Sequence, residues 1–146
     1  MINTTNHPLQ VAIIGSGPSG FYVAEALLNA GISTEITILE KLPCPYGLIR
    51  YGVAPDHQKL KSIAVTLDVI AEHPSVTYLG NVEVGKDIQV NELKALYHLL
   101  VFTTGMPKSS TLGIEGENLV GVHPSSDFIG WYNGHPDYQL ATFDFL

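Results

Sequence analysis

Six residues, GSGPSG at positions 15–20, constrain this chain more than any other feature. They follow LQVAIIG (residues 9–15), a short apolar run that reads as a buried parallel strand. They open PSGFYVAEALLNAG, where Phe21, Ala24, Leu27 and Leu28 recur at helical spacing and Gly31 is placed to stop the helix. Gly15, Gly17 and Gly20 thus form a G-x-G-x-x-G pattern between a strand and a helix. In that context Gly15 permits the tight turn, Gly17 lets the backbone approach a pyrophosphate, and Gly20 lets helix and strand pack closely. The helix N-terminus presents free N–H groups and a positive dipole end to the phosphates. Pro18 suits the first helical position, where a missing N–H matters little. Glu40 follows Gly20 by 20 residues, at the end of the next strand, and is placed to accept hydrogen bonds from adenosine ribose hydroxyls. An acid there repels a 2′-phosphate, which disfavours NADP at this site and leaves NAD and FAD.

The remaining pattern predicts an α/β fold with a Rossmann-like parallel sheet. TEITILEK (34–41) reads as a strand, and residues 57–73 as one helix with Asp56 as its cap. SVTYLGNVEVGKDI reads as one or two short strands, VNELKALYH as a short helix, and HLLVFTTG as a second buried strand ending in Gly105. Residues 106–122 read as loop with one possible strand, and SSDFIGWYNGH as a short helix capped by Ser125. The chain closes on the apolar LATFDFL, with no helix stop or polar finish, and is expected to end inside a larger protein.

Between the second strand and the following helix lies LPCPYGLIRYGVAPDHQKLK (42–61). A plain NAD-binding fold passes from that strand into a helix within a few residues. Here about fifteen irregular residues intervene, rich in Tyr46, Leu48, Ile49, Tyr51 and Val53, with Gly47 and Gly52 permitting close approach to something flat and large. The loop therefore favours FAD. His57, an imidazole between Asp56 and the start of a helix, is a candidate proton carrier. Arg50, Lys59 and Lys61 form a small basic cluster. The corner GWYNGHPDY, with the only Trp, needs no chemistry, and Cys44 between two prolines reads as packed.

Composition excludes several classes. Net charge is −7 over 146 residues, the reverse of a nucleic-acid or anionic-membrane footprint. A single cysteine excludes an intrachain disulfide, a zinc cluster and a dithiol redox centre, and the histidines show no metal-ligand spacing. No apolar run reaches the roughly 18 residues of a membrane span. MINTTNHPLQ lacks Lys and Arg, which argues against a secretory or transit peptide, so a cytoplasmic location is expected.

VAIIGSGPSGFY, PYGLIRYGVAPDHQKLK, GNVEVGKDI, YHLLVFTTG and DFIGWYNGHP occur in that order. Together they make the whole chain resemble the N-terminal part of adrenodoxin reductase and the similar bacterial NADPH–ferredoxin reductases. The small subunit of glutamate synthase shares a GLxRYG loop but fits less well, because VAPDHxxxK and GWYNG favour the reductase. The resemblance implies non-covalent FAD, with Gly15, Gly17, Ser19 and Gly20 at its pyrophosphate. It implies Glu40 on the ribose with Lys41 beside it, Leu48 along the extended cofactor and Val84 at the adenine end, while Gly105, read from its place after the second buried strand, adds a glycine terminus at the same sheet edge. His57 and Asp144 would form a proton path, although the family reads PDL where this chain reads FDFL. The domain expectation is an FAD-binding unit over 1–106 and, over 107–146, a crossover into an NADP-binding domain. No second G-x-G-x-x-G/A motif is present, so the NADP(H) site of the family is expected to be absent here. The activity implied is electron transfer from NADPH through FAD to a ferredoxin-type iron–sulfur partner. The alternative is a stand-alone, non-catalytic dinucleotide-binding or interaction module. An NAD-dependent dehydrogenase would need a substrate domain and catalytic residues that do not occur.

Overall fold

Val11, Ala12, Ile13 and Ile14 are all buried, so the first strand, β1 (Leu9–Ile14), must be covered on both faces. The computed structural model, which describes residues 7–106, 108–139 and 143, shows how this is done. β1 lies inside a parallel sheet with β2 (Thr34–Leu39), β3 (Val76–Leu79) and β4 (Leu99–Phe102), in the order β3-β2-β1-β4. Register is continuous: Ile14 pairs with both Leu39 and Phe102, and Leu39 with Leu79. All four carboxyl ends therefore finish at one edge. The chain order reverses between β1 and β4, and this switch point opens a crevice outside the strand ends.

Strand alternation sorts β1 between two cores. Val11 and Ile13 face α1 (Pro18–Asn29) and α4 (Ile63–Ala71), joining Phe21, Ala24, Ile36, Ile38, Leu67 and Ile70. Ala12 and Ile14 face the other way, onto Leu39 and Leu93 of α5 (Val90–Leu96). α5 begins with a reciprocal cap in which the Gln89 N–H donates to Glu92 Oε2 at 2.7 Å. Gly31 follows α1 at φ 69°, the left-handed conformation that ends a helix and that glycine adopts without strain.

Several sequence expectations change. The segment after β2 is not irregular throughout. It contains α2 (Gly47–Tyr51) and α3 (Gln58–Lys61), because buried Tyr46, Ile49 and Tyr51 pull it onto the α1 side of the core. The helix expected over 57–73 is in two pieces, α3 and α4, parted at Ser62, whose hydroxyl bonds back to the Lys59 carbonyl at 2.7 Å. His57, not Asp56, occupies the N-cap position of α3, and no side chain caps it. Ser125 lies within the first turn of α6 (Ser125–Tyr132), with Pro124 at the cap. β4 is an edge strand, half-exposed rather than buried, and among the described residues of 106–122 no strand forms.

Candidate functional site

The glycine motif sits at the switch point. A Cβ on Gly15 would lie 2.5 Å from the Thr103 carbonyl oxygen of the segment after β4, and φ there is +106°. A Cβ on Gly20 would lie 2.3 Å from the Gly15 carbonyl oxygen, so only glycine lets α1 approach the β1 turn this closely. Thr103 fastens the arrangement, its hydroxyl donating to the carbonyls of Ile14 and Gly15 at 3.1 and 2.9 Å. Gly17 differs from both: a Cβ there would meet nothing within 4 Å, because it would project into an open cleft. The Ser19 N–H, in the first turn of α1, finds no backbone acceptor among the described residues. The cradle thus has what an anionic pyrophosphate needs: a bare backbone, free N–H groups and the positive end of a twelve-residue helix.

Glu40 is committed more deeply than its ribose-binding reading implies. Its carboxylate accepts from the Ser16 N–H at 2.9 Å, the Ser16 hydroxyl at 2.7 Å and the Leu42 N–H at 3.1 Å. Ser16 is fully buried, so the acid ties the glycine turn to the end of β2 while also walling the cleft. Tyr78 stands behind it, and burial pushes its hydroxyl up to about 12.

α2 closes over the motif from the other side. Tyr46, at φ 84°, donates its N–H to the Ser16 carbonyl at 2.9 Å, and a Cβ on Gly47 would come within 3.1 Å of Gly17 Cα. The Tyr46 hydroxyl bonds to Asp68 on α4, and its ring packs on Phe21. Two members of the basic cluster serve this clamp. Arg50 lies 5.7 Å above the Tyr46 ring, and Lys61 Nζ reaches the Arg50 carbonyl at 3.2 Å. Leu48 is left 74% exposed on the cleft side.

The cleft itself has a volume of about 220 Å³ and is walled by Gly15, Gly17, Ser19, Glu40, Lys41, Leu48 and Gly105, among others. It joins a second cavity of about 540 Å³ that runs between α2 and α6, and Leu48, Tyr51, Met106 and His135 border both. The result is one trough leading away from Glu40 along α2. Its far wall is α6 and the 3₁₀ turn Pro136–Tyr138 that follows. The corner GWYNGHPDY is therefore part of the site, contrary to its reading as a purely structural turn. Lys41 Nζ pairs with Asp137 Oδ2 at 2.7 Å, and the Tyr51 and His135 rings pack at 4.9 Å. The hydrogen bond between them holds the Lys41 ammonium above and the Asp137 carboxyl below their ordinary ranges. Burial lowers His135 and raises the Tyr51 hydroxyl.

Seven of the predicted residues are thus brought together. Gly20 lies beneath the cleft as a packing residue. Val84 lies elsewhere, bridging to Ile88 against the core that contains Leu39 and Leu93. His57 is exposed at the start of α3 and borders neither cavity. Asp144 lies outside the described residues. Sequence reasoning missed Tyr51, Met106, His135 and Asp137 as site residues. The last two come from a segment far beyond Glu40 in the chain, with Asp137 lying 96 positions from its partner Lys41, and no local pattern announces a contact at that separation. Among the described residues no cluster of His, Cys, Asp or Glu suits a metal ion, and no helix is long and apolar enough to cross a membrane.

Comparison with known proteins follows the same lines. No family model matches the chain. It is 43% identical, over 94% of its length, to a mitochondrial NADPH:adrenodoxin oxidoreductase of Arabidopsis thaliana, and equally so to the NADPH-ferredoxin reductase FprA of Mycobacterium tuberculosis. The solved structure of M. tuberculosis FprA in complex with NADPH superimposes with a TM-score of 0.90 at 41% identity, again over 94% of the chain. The chain spans only 28% and 31% of the two curated relatives, and 32% of the solved structure.

Proposed function

This chain is related across nearly all its length to the N-terminal portion of the NADPH:adrenodoxin oxidoreductases and NADPH-ferredoxin reductases, and on that premise we propose that it forms an FAD-binding part of such an electron-transfer flavoprotein. One observation carries the cofactor choice: the glycine cleft does not end past the cradle but continues between α2 and α6. A dinucleotide with a large flat head fits a trough that extends in this way, with apolar Leu48 and Tyr51 along its floor. The open space at Gly17 is where its pyrophosphate would lie.

In this reading Gly15, Gly17 and Ser19 hold the pyrophosphate, and Glu40, already anchored by Ser16, turns its remaining lone pairs to the ribose. Lys41 acts through Asp137, and Leu48 and Gly105 line the path. Val84 supports the adenine end from the neighbouring core. FAD bound there would supply the exchange between two-electron and one-electron chemistry. The protein's part is to orient it, exclude water and handle protons. His57 lies four residues beyond Val53 of the second cavity and is assigned the proton-handling role, with Asp144 as its partner. Residues 1–106 form the FAD unit, and 107–146 begin a crossover toward an NADP(H)-binding region. The electron acceptor is a ferredoxin-type iron–sulfur protein.

Titration of the purified chain with FAD, followed by flavin absorbance and fluorescence quenching, tests this. Saturable FAD binding, with NAD bound far more weakly, is expected, together with no NADPH-driven dye reduction by the 146 residues alone. A flavin-free spectrum after excess FAD overturns the FAD assignment. Equal binding of NAD favours a plain dinucleotide module instead.

A further inference from the structure

Among the described residues α6 and its 3₁₀ turn form the far wall of the trough, and one residue between them, His135, borders both cavities. The ring is held from three sides. Tyr51 packs on it at 4.9 Å and Tyr138 edge-on at 5.1 Å, while its Nδ1 accepts the Asp137 N–H at 3.1 Å. With Nδ1 an acceptor, the neutral ring carries its proton on Nε2. Nε2 sits on the opposite edge and has no acceptor among the described residues. Nor is it a buried orphan, since Asn133 Oδ1 is the sole unpartnered buried side-chain atom among them. His135 lines the trough, so its ring offers a free donor to a ligand there. Charged groups around it are Asp137 and Lys41 on one flank and Glu40 across the cleft. The Lys41–Asp137 pair, at 2.7 Å, joins the segment to the chain just past β2.

We propose that His135 is a further binding residue of the trough, its Nε2–H donating a hydrogen bond to an oxygen of the phosphate–sugar backbone of the bound dinucleotide. The inference rests on the dinucleotide reading above and adds the residue that grips the ligand from the side opposite the glycine cradle. Pyrophosphate and ribose offer acceptors at every step along such a backbone, and a half-buried donor already fixed in orientation loses little entropy on pairing with one. The segment carrying His135 then serves as a strap, closing the trough where the two cavities meet.

The two ring nitrogens have separable roles, which makes the test sharp. His135→Asn keeps an acceptor for the Asp137 N–H but has no donor at the Nε2 position. His135→Gln places an amide donor near the Nε2 position and gives up the Nδ1 acceptor. FAD affinity of the full chain is measured by fluorescence titration for both variants, beside thermal unfolding without ligand. Binding by Nε2 predicts that His135→Asn weakens FAD about tenfold while His135→Gln stays within about threefold of wild type. A purely structural role predicts the reverse order, with Asn tolerated and Gln not, and that order overturns the proposal. Equal losses, or none, also overturn it. Wild-type chain that binds neither FAD nor NAD refutes the dinucleotide reading itself, a result distinct from all of these.

Discussion

Replacing Glu40 with alanine should destabilise the chain even when no nucleotide is present. The reason lies in what the carboxylate touches. It accepts three protein hydrogen bonds, two from fully buried Ser16 and one from the N–H of buried Leu42. Bonds to a charged acceptor contribute about 1.5–3 kcal/mol each, and a buried donor left unpaired costs about 1–3 kcal/mol. The Ser16 hydroxyl can rotate to another acceptor, but the two N–H groups cannot. Allowing for the partial exposure of Glu40, the loss should total about 3 kcal/mol, or a fall of roughly 10 °C in Tm for a chain of this size. Glu40→Gln keeps one acceptor oxygen and should lose about 1–2 kcal/mol. Glu35→Ala is the control: Glu35 is an exposed acid on β2, the strand that leads to Glu40, and bonds the Gln10 side chain, and its loss should shift stability by less than about 0.5 kcal/mol. Urea unfolding of the nucleotide-free proteins measures all three. If Glu40→Ala unfolds within about 0.5 kcal/mol of wild type, the anchoring argument is wrong and Glu40 serves the ligand alone.

Gly17→Ala and Gly20→Ala should separate binding from folding. The first places its methyl in the open cleft, leaving Tm within a few degrees but lowering FAD affinity more than about tenfold. The second drives a methyl against the Gly15 carbonyl, and overpacking of about 1–3 kcal/mol should outweigh a helix-propensity gain of up to about 1 kcal/mol. Tyr46→Phe removes the hydroxyl bound to Asp68 and should cost about 1 kcal/mol in urea unfolding, with Asp68→Ala adding little further. Acid should loosen the strap in two stages, read from the emission of Trp131 on α6. Burial holds His135 below its ordinary value, so its contribution is present above about pH 6.5 and is lost as pH falls through the lowered folded value. Lys41 holds Asp137 low, so that contribution is present above about pH 4 and lost further down. His135→Asn should remove the upper stage only, and an unchanged profile would contradict the assignment.

Local patterns were enough for the cradle and for the sheet's sense. An apolar run, three glycines and an acid at the next strand end leave few alternatives, because each demand is met within one strand–turn–helix unit. Short-range signals also placed the starts of α1, α5 and α6, with each helix ending two or three residues earlier than expected. They failed where packing decides. α2 forms inside a Pro- and Gly-rich segment because Tyr46, Ile49 and Tyr51 are drawn to the core, an influence no local propensity records. β4 looks like a buried strand by composition, yet strand order makes it an edge.

By itself, the sequence determined the glycine turn and the class of fold, since both follow from neighbours along the chain. Only the tertiary structure decided what else the site contains. Glu40 turns out to be the anchor of the glycine turn, because two strand ends that share no local sequence meet there. Lys41 turns out to hold a distant strap, and His135 to border the trough, because a contact across 96 positions depends on how the whole sheet brings its ends together.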